Sequence, residues 1–277
     1  MTVQQYFNGK GCVVTGAASG IGYAVSEELL KAGAVVFMAD RDTETLASSV
    51  KQLGAHEGRV HSMEVDVTKE EKVRKMVEDA ASLHGRLDML FNNAGIGGTL
   101  AIEQVTLEHW RRIIDINLWG VIYGIHFALP IMRRQGGGHI VTTSSIAGLM
   151  PFPFQALYCA SKYAVAGLSE SLRFELADEG IRFSVICPAE VASRIWGTPI
   201  LGERVEVKPP ENAISAEEAA KTILAGVADN EGIIALPDTA RKLWRHYWSS
   251  PEASEEFLRD MASQRRIDRP WEGAAKH

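Results

Sequence analysis

In Tyr158-Cys-Ala-Ser-Lys162 a phenol and an amine stand four residues apart. On a helix that spacing puts both on one face. A free tyrosine titrates near ~10 and a free lysine near ~10.4, so neither is a useful base at neutral pH. An ammonium beside a phenol favours the phenolate and lowers its pKa. The pair then becomes a general acid/base for an alcohol or a carbonyl. Alone, Y-x-x-x-K arises often by chance and marks a surface pair. A second chemical stretch is Gly11–Gly22, where Gly16, Gly20 and Gly22 follow the apolar run Cys12-Val13-Val14. Ile21, Val25 and Leu29 then keep helical spacing, and Gly33 closes that segment. A strand, a Gly-rich turn and a helix start form a phosphate cradle. Glycine lets an anion approach the backbone, and the helix N-terminus attracts its charge. The spacing is T-G-x-x-x-G-x-G, not the G-x-G-x-x-G of the general dinucleotide fingerprint.

Five stretches share one order and set of intervals: Thr15-Gly16-x-x-x-Gly20-Ile21-Gly22, Asn92-Asn93-Ala94-Gly95, Asn117, Ser144-Ser145 and Tyr158-x-x-x-Lys162. From about Gly9 to Leu236 the chain resembles the short-chain dehydrogenase/reductase family, in its compact single-domain branch. The resemblance implies that Tyr158 exchanges a proton with the substrate oxygen. It implies that Lys162 lowers the Tyr158 pKa and holds the nicotinamide ribose, that Ser145 hydrogen-bonds the substrate oxygen, and that Asn117 holds a water in a relay to Lys162. Ser144 is the weaker candidate beside Ser145. Without the other motifs, Ser145 would be a strand-end hydroxyl capping a loop and Asn117 a helix residue bonded to nearby backbone. Hydride would pass between the substrate carbon and the nicotinamide, with the protein supplying placement and electrostatics.

The resemblance also implies the cofactor contacts. Gly16, Ser19, Gly20, Ile21 and Gly22 would take the pyrophosphate; Asp66 and Val67 would lie near the adenine. Asn92, Asn93, Ala94 and Gly95 would run along the cofactor, and Pro188, Val191 and Ser193 would reach its nicotinamide end. Asp40 closes an apolar run where a carboxylate can accept both ribose hydroxyls of NAD and would repel a 2′-phosphate. Arg41 beside it could pair with that phosphate, yet NAD(H) is the favoured cofactor over NADP(H). The family commonly has Pro-Gly after the sixth strand and a threonine just beyond; here Pro188-Ala189-Glu190-Val191-Ala192-Ser193 stands there. Ala189 adds a methyl, while Ser193 keeps a hydroxyl. Substrate is expected against Gly97–Leu100, Ile146–Phe154, Leu157 and a loop over 193–214. Leu149, Met150, Phe152, Phe154, Ile195 and Trp196 make that lining apolar, which suits a hydrophobic alcohol or ketone.

Strands alternating with helices must position these residues. Apolar runs around Cys12–Val14, Ala34–Ala39, Arg59–Val65, Asp88–Phe91, His139–Thr143, Arg182–Cys187 and Gly232–Leu236 read as strands, with Pro188 stopping the sixth. Asp42 caps the helix after the second. Thr68-Lys-Glu-Glu71 and Ser215-Ala-Glu-Glu218 read as capping boxes. Long helical stretches cover Thr106 to Arg134 and Ala156–Asp178. The pattern predicts an α/β fold: a Rossmann-like doubly wound parallel sheet of about seven strands with helices on both faces. Ligands then sit beyond the carboxyl ends of the strands. No linker divides residues 1–236, and 237–277 read as a helical extension packed on the same domain. That extension carries Trp244, Trp248, Phe257, Leu258 and Met261, with Arg265, Arg266 and Arg269.

A net charge of −6 without a basic block argues against nucleic acid. Three widely spaced cysteines argue for a reducing compartment, and no signal peptide is legible, so a cytoplasmic site is expected. The longest apolar stretch, near Val121–Met132, is interrupted by His126 and Pro130 and reads as too short to span a bilayer. Eight histidines form no metal spacing. By family analogy the partners are a small alcohol or ketone and further copies of the chain, as a tetramer or dimer. The competing readings are an NADP(H)-dependent reductase and a non-catalytic NAD-binding protein.

Overall fold

The computed structural model describes residues 2–56, 58–202 and 206–268. Seven strands form one parallel sheet: β1 Gly11–Thr15, β2 Val35–Asp40, β3 Val60–Glu64, β4 Met89–Asn92, β5 Gly138–Thr143, β6 Ile181–Pro188 and β7 Ile233–Leu236, in the order β3-β2-β1-β4-β5-β6-β7. The order reverses between β1 and β4, which opens a crevice beyond their carboxyl ends. β6 ends at Pro188 as expected, the proline itself being its last residue, in register with Leu236. As the terminal position it gives up no interior ladder bond.

Both faces of the sheet are covered, and the apolar runs alternate between them. Cys12, Val14, Val36 and Met38 face a core with α2 (Gly20–Lys31), α3 (Thr43–Gln52) and α8 (Ala216–Ala228), where Leu29, Leu30, Leu46 and Ile223 are buried. Val13, Phe37 and Ala39 face α4 (Glu70–His84), α6 (Gly120–Arg134) and α7 (Ala156–Glu175) through Val77, Ile125, Met132 and Val165. Each fully buried Leu or Val contributes about 2 kcal/mol from removal of apolar surface. A short α1, Val3–Phe7, precedes the sheet. The helical run Leu107–Arg134 is long and apolar enough to cross a membrane by length and composition, and it continues through Pro130. Its Val121, Ile125, Ala128 and Met132 lie in the second core.

Two capping expectations differ in outcome. Ser215 caps α8 by accepting the Glu218 N–H at 3.0 Å. Thr68 does not cap α4: its N–H and hydroxyl both donate to Asp66 Oδ1, at 3.0 and 2.8 Å, and Lys69 takes the cap position with no side-chain bond. The Asp66 carboxylate, two residues back, captures the threonine first. Beyond β7, α9 (Asp238–Ser249) and α10 (Glu255–Asp268) pack Ala240, Leu243, Trp244, Tyr247 and Leu258 against Ile146, Leu149 and Met150. Arg269 lies outside the described residues.

Candidate active site

The glycine turn between β1 and α2 is built by close backbone approach. Gly16 and Gly20 have φ of +66° and +57°. A Cβ on Gly16 would meet Ala94 Cα at 2.9 Å, and one on Gly22 would meet the Gly16 carbonyl oxygen at 2.2 Å. The N-cap Ser19 makes no side-chain cap bond, and the first turn of α2 holds no acid. By contrast, α3 and α8 are capped by Asp42 and Ser215 and carry acids in their first turns. The first-turn N–H groups of α2 are thus left to an outside anion, which fits a pyrophosphate.

Asp40 ends β2 beside this turn. Its Oδ2 accepts the Ala18 N–H and its Oδ1 the Asp42 N–H, both at 3.0 Å. The helix cap belongs to Asp42, whose Oδ1 accepts the Thr45 N–H at 3.0 Å. Asp66 titrates below the usual carboxylate range: burial raises it, but the two Thr68 bonds and the Arg41 charge together outweigh that. Val67 packs on Gly120, where an added Cβ would lie 3.0 Å from it.

Thr15 has no role of its own in the sequence pattern, yet it ties the next strands together. Its hydroxyl accepts the Asn93 and Ala94 N–H groups at 3.0 Å and donates to the Phe91 carbonyl at 3.3 Å. Asn93 Nδ2 donates to the Thr15 carbonyl at 3.0 Å, and its Oδ1 accepts from the Thr143 hydroxyl at 3.2 Å. The carboxyl ends of β1, β4 and β5 are thereby joined. The only signal in the sequence is its place ahead of Gly16. Asn92 turns inward instead, its amide 3.4 Å from the Val121 carbonyl.

Tyr158 and Lys162 lie on α7, and Ser145 caps a single turn, Ile146–Gly148, by accepting the Ala147 N–H at 3.1 Å. Burial pushes the Tyr158 phenol up to about 12; the nearby Ser145 hydroxyl pulls it the other way. Burial pushes the Lys162 amine down to about 8. Burial is the largest influence on both groups. Lys162 Nζ donates to the Thr143 carbonyl at 2.9 Å and lies 5.6 Å from the Tyr158 ring centroid. At this separation burial, which favours the neutral form of each, prevails. Ser144 is a spacer: its hydroxyl donates to the Lys162 carbonyl at 2.7 Å.

Asn117 sits in a π-turn, Asp115–Trp119, between α5 (Leu107–Ile114) and α6. The periodicity of the stretch gives no sign of this break. One wide turn re-aims the side chain. Asn117 Oδ1 accepts the Ile96 N–H at 2.8 Å, and Nδ2 donates to the Ile96 carbonyl and the Ser161 hydroxyl at 3.0 and 3.1 Å. A Cβ on Gly95 would lie 3.2 Å from Asn117 Oδ1 and 3.4 Å from Lys162 Nζ, so the two groups converge on that glycine.

The loop after β6 covers both halves of the crevice. Ser193 stands over Gly20, where an added Cβ would meet its Cβ at 3.0 Å. Arg194 reaches α3, donating to the Thr45 hydroxyl at 3.3 Å with Asp42 at 3.9 Å. Ile195 and Ile200 close on Gly97 and Gly98; a Cβ on Gly98 would meet Ile200 at 2.5 Å. Val191 directs its side chain into the core, and its carbonyl accepts the Trp196 indole N–H at 2.9 Å. Leu149 and Met150, expected to line the cleft, are instead buried under α9. Phe152, Phe154 and Ile195 stay partly exposed.

A family model for short chain dehydrogenases matches residues 10–199. A cyclohexanol dehydrogenase of Acinetobacter sp. (strain SE19) is 33% identical over 229 residues, covering 82% of this chain and 91% of the relative. A 3beta-hydroxysteroid dehydrogenase of Eggerthella lenta is 37% identical over 189 residues, covering 68% and 73%. The crystal structure of a short chain dehydrogenase/reductase from Burkholderia phymatum in complex with NAD superposes with a TM-score of 0.81 at 28% identity, covering 90% and 96%. The chain therefore belongs to the short-chain dehydrogenase/reductase family of oxidoreductases.

Proposed function

We propose that the chain is an NAD(H)-dependent oxidoreductase interconverting a hydrophobic secondary alcohol and its ketone. The observation that carries this reading is the Tyr158 phenol placed near Ser145, with the Lys162 amine beside its ring. The cofactor would be held by Gly16, Ser19, Gly20, Ile21 and Gly22 at the pyrophosphate, Asp40 at the ribose, and Asp66 with Val67 at the adenine. Asn93, Ala94 and Gly95 would run beneath it, and Lys162, Pro188, Val191 and Ser193 would meet its nicotinamide half. Once bound, that group gives hydride to a carbonyl carbon or takes it from a carbinol carbon. Ser145 orients the substrate oxygen. Tyr158 in its protonated form delivers the proton to that oxygen during reduction and is left as phenolate; in oxidation it is the phenolate that takes the alcohol proton and becomes the phenol. Asn117 fixes the wall around Lys162 by gripping Ile96 and Ser161.

Phe152, Phe154 and Ile195 favour an apolar substrate, and the names of the two relatives suggest cyclic secondary alcohols. We read residues 1–236 as one cofactor-binding and catalytic domain, with 237–277 packed on it. A cytoplasmic homo-oligomer, dimer or tetramer, is in keeping with exposed Trp119 and Phe174 on the helical faces after β4 and β5. The test is a panel of cyclic alcohols and ketones followed by NADH absorbance, with NAD and NADP in parallel. Turnover of cyclohexanol or a steroid alcohol with NAD is expected; turnover confined to sugars would overturn the substrate reading. Asp40→Ala should shift the kcat/KM ratio toward NADP by about tenfold, the worth of one charge-assisted hydrogen bond. An unchanged ratio would place the discrimination elsewhere, with Arg41 the next residue to replace.

A further inference from the structure

Ser145 and Tyr158 belong to different elements, and the chain between them packs on β6 and β7 only at its near end, through Ile146, Leu149 and Met150. Its far end contains Phe154, whose φ of +64° puts a bulky residue in the left-handed region. Such a conformation persists only where neighbours fix it. Two neighbours come from the turn after β4: the Leu100 N–H donates to the Phe154 carbonyl at 2.8 Å, and Gln155 Nε2 donates to the Thr99 hydroxyl at 3.1 Å. The others come from the C-terminal extension. Trp248 Nε1 donates to the Leu149 carbonyl at 2.7 Å. The Arg265 guanidinium donates to the Pro153 carbonyl, and that of Arg266 lies 5.6 Å from the Phe154 ring centroid. Helix α7 begins at Ala156, so Tyr158 stands in the turn that Phe154 launches. Gln155, at the N-cap, makes no side-chain cap bond, which leaves the start of the helix to these outside supports. The charge of Arg265 also reaches the Cys159 thiol, next to Tyr158.

We propose that Arg265 is a positioning residue, which holds Pro153-Phe154 and thereby sets both the Tyr158 phenol and the adjoining substrate wall, with Trp248 as a second support. This rests on the alcohol–ketone reading of the site. A guanidinium suits the task because it offers several donors in a rigid fork and stays charged. Without it Phe154 relaxes toward a negative φ, and the first turn of α7 moves relative to Ser145. The cofactor cradle, built on β1, β2 and β4, is not in that path.

The test uses the full chain with cyclohexanone and NADH. Arg265→Ala should raise the ketone KM and lower kcat, with kcat/KM falling about tenfold, as expected for a lost hydrogen bond from a charged donor. The KM for NADH should hold within about twofold. Hydrogen exchange across residues 150–158 should quicken. Arg265→Lys, which keeps a cationic donor, should recover most of the loss. Arg259→Ala, which removes an exposed pair with Glu255 on the same helix, should change neither readout. Wild-type ketone KM and wild-type exchange in Arg265→Ala would overturn the proposal. So would equal rises in both KM values with no change in exchange. If Arg265→Ala does not fold, Trp248→Phe decides: faster exchange at 149–152 supports the brace, and wild-type exchange there rejects it. If the wild type turns over no ketone, the alcohol–ketone reading fails by itself, and the exchange data still judge the brace.

Discussion

The chain carries Y-x-x-x-K twice, at Tyr6–Lys10 and at Tyr158–Lys162, on opposite edges of one sheet. Tyr6 is buried and Tyr158 partly buried, and desolvation raises both phenols. Each has a lysine near its ring, Lys10 at 3.7 Å and Lys162 at 5.6 Å from the centroid, and burial lowers both amines. The cation is nearer in the first pair, yet the second is the chemical one. The difference lies in what the hydroxyl meets. Tyr6 bonds His139 Nδ1 at 2.9 Å, His139 Nε2 bonds the Ser184 hydroxyl at 3.0 Å, and Ser184 donates to the Glu231 carbonyl at 2.6 Å. Burial holds His139 neutral, down at about 3. That chain ends within the protein, at the amino ends of β5 and β6. Tyr158 instead shares Ser145 at the carboxyl ends, where the crevice opens. A buried titratable pair is structural when its partners are all internal and chemical when one side is left for a ligand.

Removing one hydroxyl from each pair should separate them most sharply. Tyr158→Phe should cut turnover by about 10²- to 10⁴-fold, the usual worth of a positioned acid/base, with NADH binding retained. Tyr6→Phe should leave turnover at the wild-type level; equal losses in the two variants would break the comparison. Next is Lys162→Met. The folded amine sits at about 8 against 10.5 in the unfolded chain. Below pH 8 both states hold the proton, and burying the charge costs the fold roughly 3 kcal/mol, each pH unit between the two titration points being worth about 1.36 kcal/mol. Between about 8 and 10.5 the unfolded lysine still holds the proton that the folded one has released, so wild-type stability climbs with pH. Methionine carries no charge, so the variant should be more stable than wild type at pH 7, and its advantage should fade toward pH 10.5. Urea midpoints at pH 7 and 10 measure this, and a pH-independent gap would refute it. The smallest effect is on stability in Tyr6→Phe, a loss of about 1 kcal/mol because His139 Nδ1 keeps no phenolic partner.

The sheet is legible in the sequence because strands covered on both faces must be continuous apolar runs, as Val13-Val14 and Val35–Ala39 are. The glycine turn and Tyr158-x-x-x-Lys162 are legible because each is local, a few residues whose spacing alone brings them together. What the sequence hides is decided by contacts distant along the chain or by competition between near neighbours. Thr68 is lost to Asp66, and Asn117 is aimed by a π-turn that lets it bond Ile96, neither of which leaves a period to read. Leu149 and Met150 read as cleft residues only while the position of α9 is unknown. For Tyr158 and Lys162 the sequence supplies the charge but not the burial that acts on both groups.

One loop joins the two halves of the molecule mechanically. It rests on Gly20 through Ser193, grips Thr45 through Arg194, and leans on Gly97 and Gly98 through Ile195 and Ile200. It cannot lift from one place and stay seated on the other. The loop therefore ties the glycine turn after β1 to the turn after β4. Two turns that follow different strands are thus held in one arrangement by a piece of chain that belongs to neither.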